Sequence, residues 1–251
     1  MARAGGGTAT VVVSMPDGRK RTIFFKKGEA ITAVLPLPED EKTWGQLELM
    51  FATRAGNVRR NSLADFENIN RNGKIAMKLD EGEAIVDVQI CTERDDVLLT
   101  TANGQCIRFP VDEVRVFKGR GSMGVRGITL VDDDQVVGME ILSPGATILS
   151  VTQNGYGKRT PLEDYRLQKR GGQGIITIRT SERNGPVIGV AQVTDEDEVM
   201  LITDGGKVLR CRVSGISTMG RATQGVTLMD LAEGEKLVAI ARLAERDAGG
   251  E

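Results

Sequence analysis

The sequence contains no histidine. That excludes a Ser-His-Asp triad, a Cys-His pair and any histidine-bound metal. Aromatic residues are scarce, with 6 Phe, 2 Tyr and 1 Trp among 251 residues, so the core must be aliphatic. The three cysteines, Cys91, Cys106 and Cys211, form no CxxC pair, and their number is odd. Free, buried thiols in a reducing compartment are expected. No apolar run approaches the roughly 18 residues of a membrane span. Met1 to Gly7 has no apolar segment and Val11-Val12-Val13 is too short for a signal sequence, so a cytoplasmic location is expected. Strong net charge is missing too. At −2 the chain is nearly neutral, and a nucleic-acid partner would require its positive charge to be segregated onto one surface.

What is abundant is glycine, at 31 residues. The organising stretch is Gln168-Lys169-Arg170-Gly171-Gly172-Gln173-Gly174, followed by the β-like run Ile175 to Arg179. Glycine brings the backbone close to whatever it faces. The adjacent Lys and Arg supply charge and donors suited to phosphate. Taken alone, the heptad also fits a glycine hairpin with solvated charges.

The heptad is one copy of a repeat. A strand ending in Thr-x-x-Gly occurs four times, at Thr53 to Gly56, Thr101 to Gly104, Thr152 to Gly155 and Thr203 to Gly206. The period is about 50 residues. Each copy follows an apolar run and precedes a basic strand: Asn57 to Arg60, Gln105 to Arg108, Tyr156 to Arg159 and Lys207 to Arg210. A second landmark has the same period: Arg71 to Lys74, Arg120 to Gly124, Arg170 to Gly174 and Arg221 to Gly225. An acidic or polar turn and a closing strand end each unit, as in Asp80 to Ile90 and Glu233 to Leu243.

Short strands at this period predict an all-β, propeller-like disc of four-stranded blades. Four full units are expected, at about 47–96, 97–146, 147–198 and 199–248. Residues 1–7 read as a flexible leader. Residues 8–46, with a hairpin over 10–25, read as a partial N-terminal blade. All of 8–248 is expected to form one domain, because a single blade cannot bury its own face. No segment sustains a capped helical stripe.

Several motifs point elsewhere and fail on context. Gly119 to Gly124 matches G-x-G-x-x-G, but a strand-like run, Val125 to Val131, follows where a dinucleotide site needs a helix. Asp132-Asp133-Asp134 reads as a hydrated turn. The Thr-x-x-Gly turns lack the Gly-Lys-Ser/Thr of a phosphate loop. No cofactor or metal site is expected.

With Gln153 to Thr160, the 168–174 heptad, Asp197 to Gly206 and Arg221 to Val226 in this order, the chain resembles the C-terminal domain of the bacterial DNA gyrase A protein. The resemblance runs from about Ala30 to Leu243. It implies a β-pinwheel, a disc of four-stranded blades whose basic rim wraps DNA. It further implies a non-catalytic part of a type IIA topoisomerase that supports negative supercoiling. The implied partners are duplex DNA, the gyrase B protein, and the rest of the gyrase A protein. The heptad resembles the family's gyrase A box, here in the third full repeat, with Lys169 where the family has arginine and Gln173 where it has lysine. Residues 1–29 do not resemble the expected first blade, so truncation or splicing there is expected. Tyr156 and Tyr165 lie in the blade repeat and match no cleavage motif. The expected DNA-contact residues are Arg59, Arg60, Arg71, Lys74, Arg108, Arg120, Arg126, Lys158, Arg159, Gln168, Lys169, Arg170, Gly171, Gly172, Gln173, Gly174, Arg210 and Arg221. Two other readings are the C-terminal domain of topoisomerase IV and a propeller-like scaffold that binds protein.

Overall fold

The structure, a computed structural model, describes residues 9–14, 20–25, 35–67, 75–119 and 121–243. Strands β1 (Ala9–Ser14) and β2 (Lys20–Phe25) pair antiparallel as a separate two-stranded sheet. The rest is four repeats of three long strands. The first holds β3 (Glu48–Thr53), β4 (Asn57–Ser62) and β5 (Ile85–Cys91). The second holds β6 (Asp96–Thr101), β7 (Gln105–Pro110), the two-residue β8 (Val125–Arg126) and β9 (Val136–Leu142). The third holds β10 (Thr147–Thr152), β11 (Tyr156–Pro161), β12 (Ile175–Ile176) and β13 (Val187–Val193). The fourth holds β14 (Glu198–Thr203), β15 (Val208–Arg212), β16 (Val226–Thr227) and β17 (Leu237–Arg242).

The short strands do not join their own repeat. The sheets run β5-β3-β4-β8, β9-β6-β7-β12 and β13-β10-β11-β16, so each is completed by a strand from the following repeat. The last, β17-β14-β15, has three strands among the described residues. The blade is therefore out of step with the sequence repeat. The long closing strands pack in succession, β5 on β9, β9 on β13 and β13 on β17, which makes them the inner edge of a radial array. No comparable packing joins β17 back to β5. The short strands form the outer edge.

The Thr-x-x-Gly turn has a physical basis. The threonine hydroxyl accepts the amide four residues on, at 3.2 Å from Asn57 N to Thr53, 3.2 Å from Gln105 N to Thr101 and 3.1 Å from Lys207 N to Thr203. The ladder with the inner strand shifts register at this threonine in all four repeats. The glycine takes a left-handed conformation, with φ near +80° in each copy.

The core lies between blades. Met50, Val58, Val97, Leu99, Ile107 and Phe109 fill the space between the first and second. Leu98, Cys106, Ile148 and Tyr165 join the second to the third, and Leu149, Val151, Val199 and Leu201 join the third to the fourth. Strands β3, β6 and β10 are covered on both faces, which is why they read as apolar runs. In β14 buried and half-buried residues alternate, because one face meets no further blade. At the other end a 3-10 turn, Glu41–Gln46, caps the first blade with Trp44, whose indole N–H donates to Pro38 O at 3.0 Å. Asp40 starts the turn, its carboxylate accepting the Lys42 amide at 3.0 Å.

Candidate nucleic-acid interface

The outer edge is built from three loop segments, 115–119 with 121–126, 166–176 and 217–227, each laid along the third strand of the preceding blade. Their contacts repeat. Phe117 N donates to Arg60 O at 2.8 Å, Gln168 N to Arg108 O at 2.9 Å and Met219 N to Arg159 O at 2.8 Å. Each segment then ends in a left-handed glycine pressed on that strand. A Cβ at Gly124 would lie 2.2 Å from Val58 O, at Gly174 2.1 Å from Cys106 O and at Gly225 2.7 Å from Gly157 O. Only glycine allows so close an approach.

The heptad also ties one blade to the next. Gly171 N donates to Gly127 O at 2.6 Å, and Thr129 N donates to Gly172 O at 2.8 Å. Arg170 clamps this turn. Its Nε donates to Glu113 O at 3.0 Å and its NH1 to Arg126 O at 2.9 Å, while Glu113 accepts its amide at 2.8 Å. Arg221 repeats the clamp one blade on, donating to Ile176 O at 2.8 Å. Gly172 and Gln173 are exposed; Gln168, Gly171 and Gly174 are half-buried.

Many expected contact cations prove to be internal. Arg59 is fully buried; it donates to Asn61 Oδ1 at 2.7 Å, to Ser122 and to the Gly119 carbonyl, and stacks on the Phe117 ring. Lys158 is its counterpart in the third repeat, buried and bonded to Thr160 Oγ1 at 2.6 Å and Gly220 O at 2.8 Å. Burial pulls its ammonium down to about 8. In these two repeats the cation holds the loop's carbonyls from beneath. The next arginine in each third strand meets a carboxylate: Arg60 with Glu48 at 3.0 Å, Arg108 with Asp96 at 2.7 Å, Arg159 with Asp195 and Arg210 with Glu198. Arg60 and Arg159 are buried as well. The expectation of free rim charge at Arg59, Arg60, Arg108, Lys158 and Arg159 is corrected by these partners. A buried cation must be matched inside the protein: Arg60, Arg108 and Arg210 meet an acid of their own hairpin, and Arg159 meets Asp195, 36 residues on. Arg210 is paired yet half open to solvent. Arg71, Lys74 and Arg120 lie outside the described residues.

Of the expected cations, Arg126 and Lys169 are exposed on the outer edge. Sequence reasoning missed three more on the same segments: Arg115, Lys118 and Arg166. Arg115 stacks on Phe117, 4.4 Å from the ring centroid, on a residue that also carries Arg59. No ion pair to a carboxylate within 4.0 Å engages these five among the described residues. Their signal was present in the sequence: Arg115-Val116-Phe117-Lys118 and Arg166-Leu167-Gln168-Lys169 share one pattern a repeat apart.

A family profile described as DNA gyrase C-terminal domain, beta-propeller, matches residues 47–92, 95–143, 146–194 and 197–244. The chain belongs to this gyrase C-terminal domain family. Its curated relatives include the DNA gyrase A protein of Rickettsia bellii, 37% identical over 95% of this chain and 32% of the relative. The DNA gyrase A protein of Salmonella typhimurium is 44% identical over 88% of this chain and 25% of the relative, and that of Escherichia coli is 41% identical over the same share. The chain thus spans about a quarter to a third of these gyrase proteins. A solved DNA gyrase A C-terminal domain superposes with TM-score 0.74 at 23% identity, covering 96% of this chain and 84% of that one. A topoisomerase IV C-terminal domain superposes at 0.80, also at 23% identity, covering 88% and 68%. Both share the β-pinwheel fold seen here.

Proposed function

We propose that this chain is a non-catalytic DNA-binding and DNA-wrapping domain of the gyrase A type. Duplex DNA lies along the outer edge, and five exposed cations of its loop segments, Arg115, Lys118, Arg126, Arg166 and Lys169, which no carboxylate engages among the described residues, meet its phosphates. Their shared exposure on two repeat-related outer-edge segments is the observation that carries the reading. Phosphate contacts fix register without reading sequence, so affinity is largely sequence-independent. Glycine-loop amides of the heptad lie beside these cations, and Arg170, Arg221, Arg59 and Lys158 act by holding the loops in shape. Arg210 sits on the open edge of the last blade and extends the basic path. Within a holoenzyme the partners are the gyrase B protein and the remainder of the gyrase A protein, in the bacterial cytoplasm at the nucleoid, and the bend supports negative supercoiling. Residues 8–248 act as one domain in this scheme. The domain requires no cofactor.

The test is binding to nicked plasmid across a salt series, followed by ligation and measurement of the linking number. Five phosphate contacts give a slope of log affinity on log salt of about −4.5. A linking-number shift is expected on ligation. Absence of binding at low salt would overturn the proposal. Binding without a shift reduces it to attachment alone.

A further inference from the structure

Two of the outer-edge segments expose an aliphatic side chain where a soluble surface gains nothing from one. Val116 is 40% exposed and Leu167 is 55% exposed. They occupy the same repeat position. Each forms a parallel bridge to the arginine of the strand beneath, Val116 to Arg60 and Leu167 to Arg108. A lone exposed leucine is ordinary. These two are framed alike: Arg115 and Lys118 flank Val116, and Arg166 and Lys169 flank Leu167, all four exposed. The backbone that presents them is fixed on both sides, by the Phe117 and Gln168 amide bonds and by the clamped turns that follow. The third segment has the same bridge, Arg159 to Thr218, but reads Ser217-Thr218-Met219-Gly220. It has neither the cations nor the apolar tip.

We infer that 115–118 and 166–169 are two wedge stations for duplex DNA. This rests on the DNA-binding reading above. At each, the two cations take phosphates on either side of the minor groove, and Val116 or Leu167 enters between them against the sugars and base edges. Apolar residues inserted there unstack a base step and kink the duplex by at least about 20°. The 217–220 segment contributes no kink, so the bend is concentrated over the first two blade junctions. Deformable pyrimidine–purine steps are therefore preferred at the stations.

The experiment separates bending from affinity. A duplex with a central TA step is titrated in circularly permuted gel-shift assays with this chain and two variants. The first is Val116→Ser with Leu167→Ser. Both side chains are surface residues, so a thermal melt matching the parent is expected. The second is Arg115→Ala, Lys118→Ala, Arg166→Ala and Lys169→Ala. The serine variant should bind with nearly the parent affinity and salt slope while its bend falls. The alanine variant should lose about 0.9 of salt slope for each contact removed. An unchanged bend in the serine variant, with the parent chain bending the duplex, overturns the wedge and leaves DNA binding standing. Failure of the parent chain to bind sinks the DNA reading and the wedge together.

Discussion

Gly104 and Gly206 occupy the same place in two repeats, with φ of +80° and +81°. Their surroundings differ. A Cβ at Gly104 would lie 2.2 Å from Ile178 O, on the backbone that follows the donated β12. A Cβ at Gly206 meets nothing within 4 Å, because no later repeat covers β15. Replacing either with alanine forces a left-handed L-residue, at about 1–2 kcal/mol. At Gly104 the collision adds to that. The Ile178 carbonyl must move, and with it the bonds from Thr177 N and Ile178 N to Gly104 O, now 2.8 and 3.4 Å. Overpacking of this kind costs about 1–3 kcal/mol, with about 1 kcal/mol for each hydrogen bond lost. Gly104→Ala should therefore destabilise by about 3–5 kcal/mol, and Gly206→Ala by about 1–2 kcal/mol. In thermal melts the gap amounts to roughly 5–10 °C for a domain of this size. Urea titrations followed by circular dichroism read the same difference. Equal destabilisation would refute the idea that strand donation, and not turn geometry, sets the cost.

Two further predictions concern the interior. Burial, with Asp87 nearby, lifts the Glu140 carboxyl on the inner edge from the ordinary 4.5 to about 8. Between these values the folded chain holds a proton that the unfolded chain has released, so stability falls as pH rises from about 4.5 to about 8. The loss is on the order of 5 kcal/mol; Glu140→Gln should flatten this part of the profile of urea midpoint against pH, and a slope that persists would exclude Glu140 as its source. Burial also pushes the Cys91 and Cys106 thiols up to about 12, whereas Cys211 is only half-buried. A thiol-reactive probe should label Cys211 first in native protein and the other two only on unfolding; three equal rates would contradict the packing.

The repeat was readable because its signals are local. In three of the four copies the Thr-x-x-Gly threonine accepts the amide four residues on, and glycine at a left-handed turn leaves its mark at a fixed period. Strand donation was hidden, since Val125–Arg126, Ile175–Ile176 and Val226–Thr227 are two residues long and carry no alternation to assign them to another repeat's sheet. The site was read less well for a related reason. Arg60, Arg108 and Arg210 look like free charges until the hairpin folds Glu48, Asp96 and Glu198, each twelve residues upstream, back beside them. Arg170 finds Glu113 from 57 residues away. Conversely, Arg115, Lys118 and Arg166 stand apart from the basic strands, so a search for cations on the repeat's strongest motif passes over them.

The offset between sheet and repeat has a practical consequence for dissection. The second sheet begins at Asp96 and is finished only by Ile176, well past the start of the third at Thr147. Any protease nick or expression boundary placed between two neighbouring repeats severs a ladder on one side and strips a fourth strand from the other. Blades here cannot be shuffled or excised as beads on a string; they interlock like roof tiles, and lifting one loosens the next.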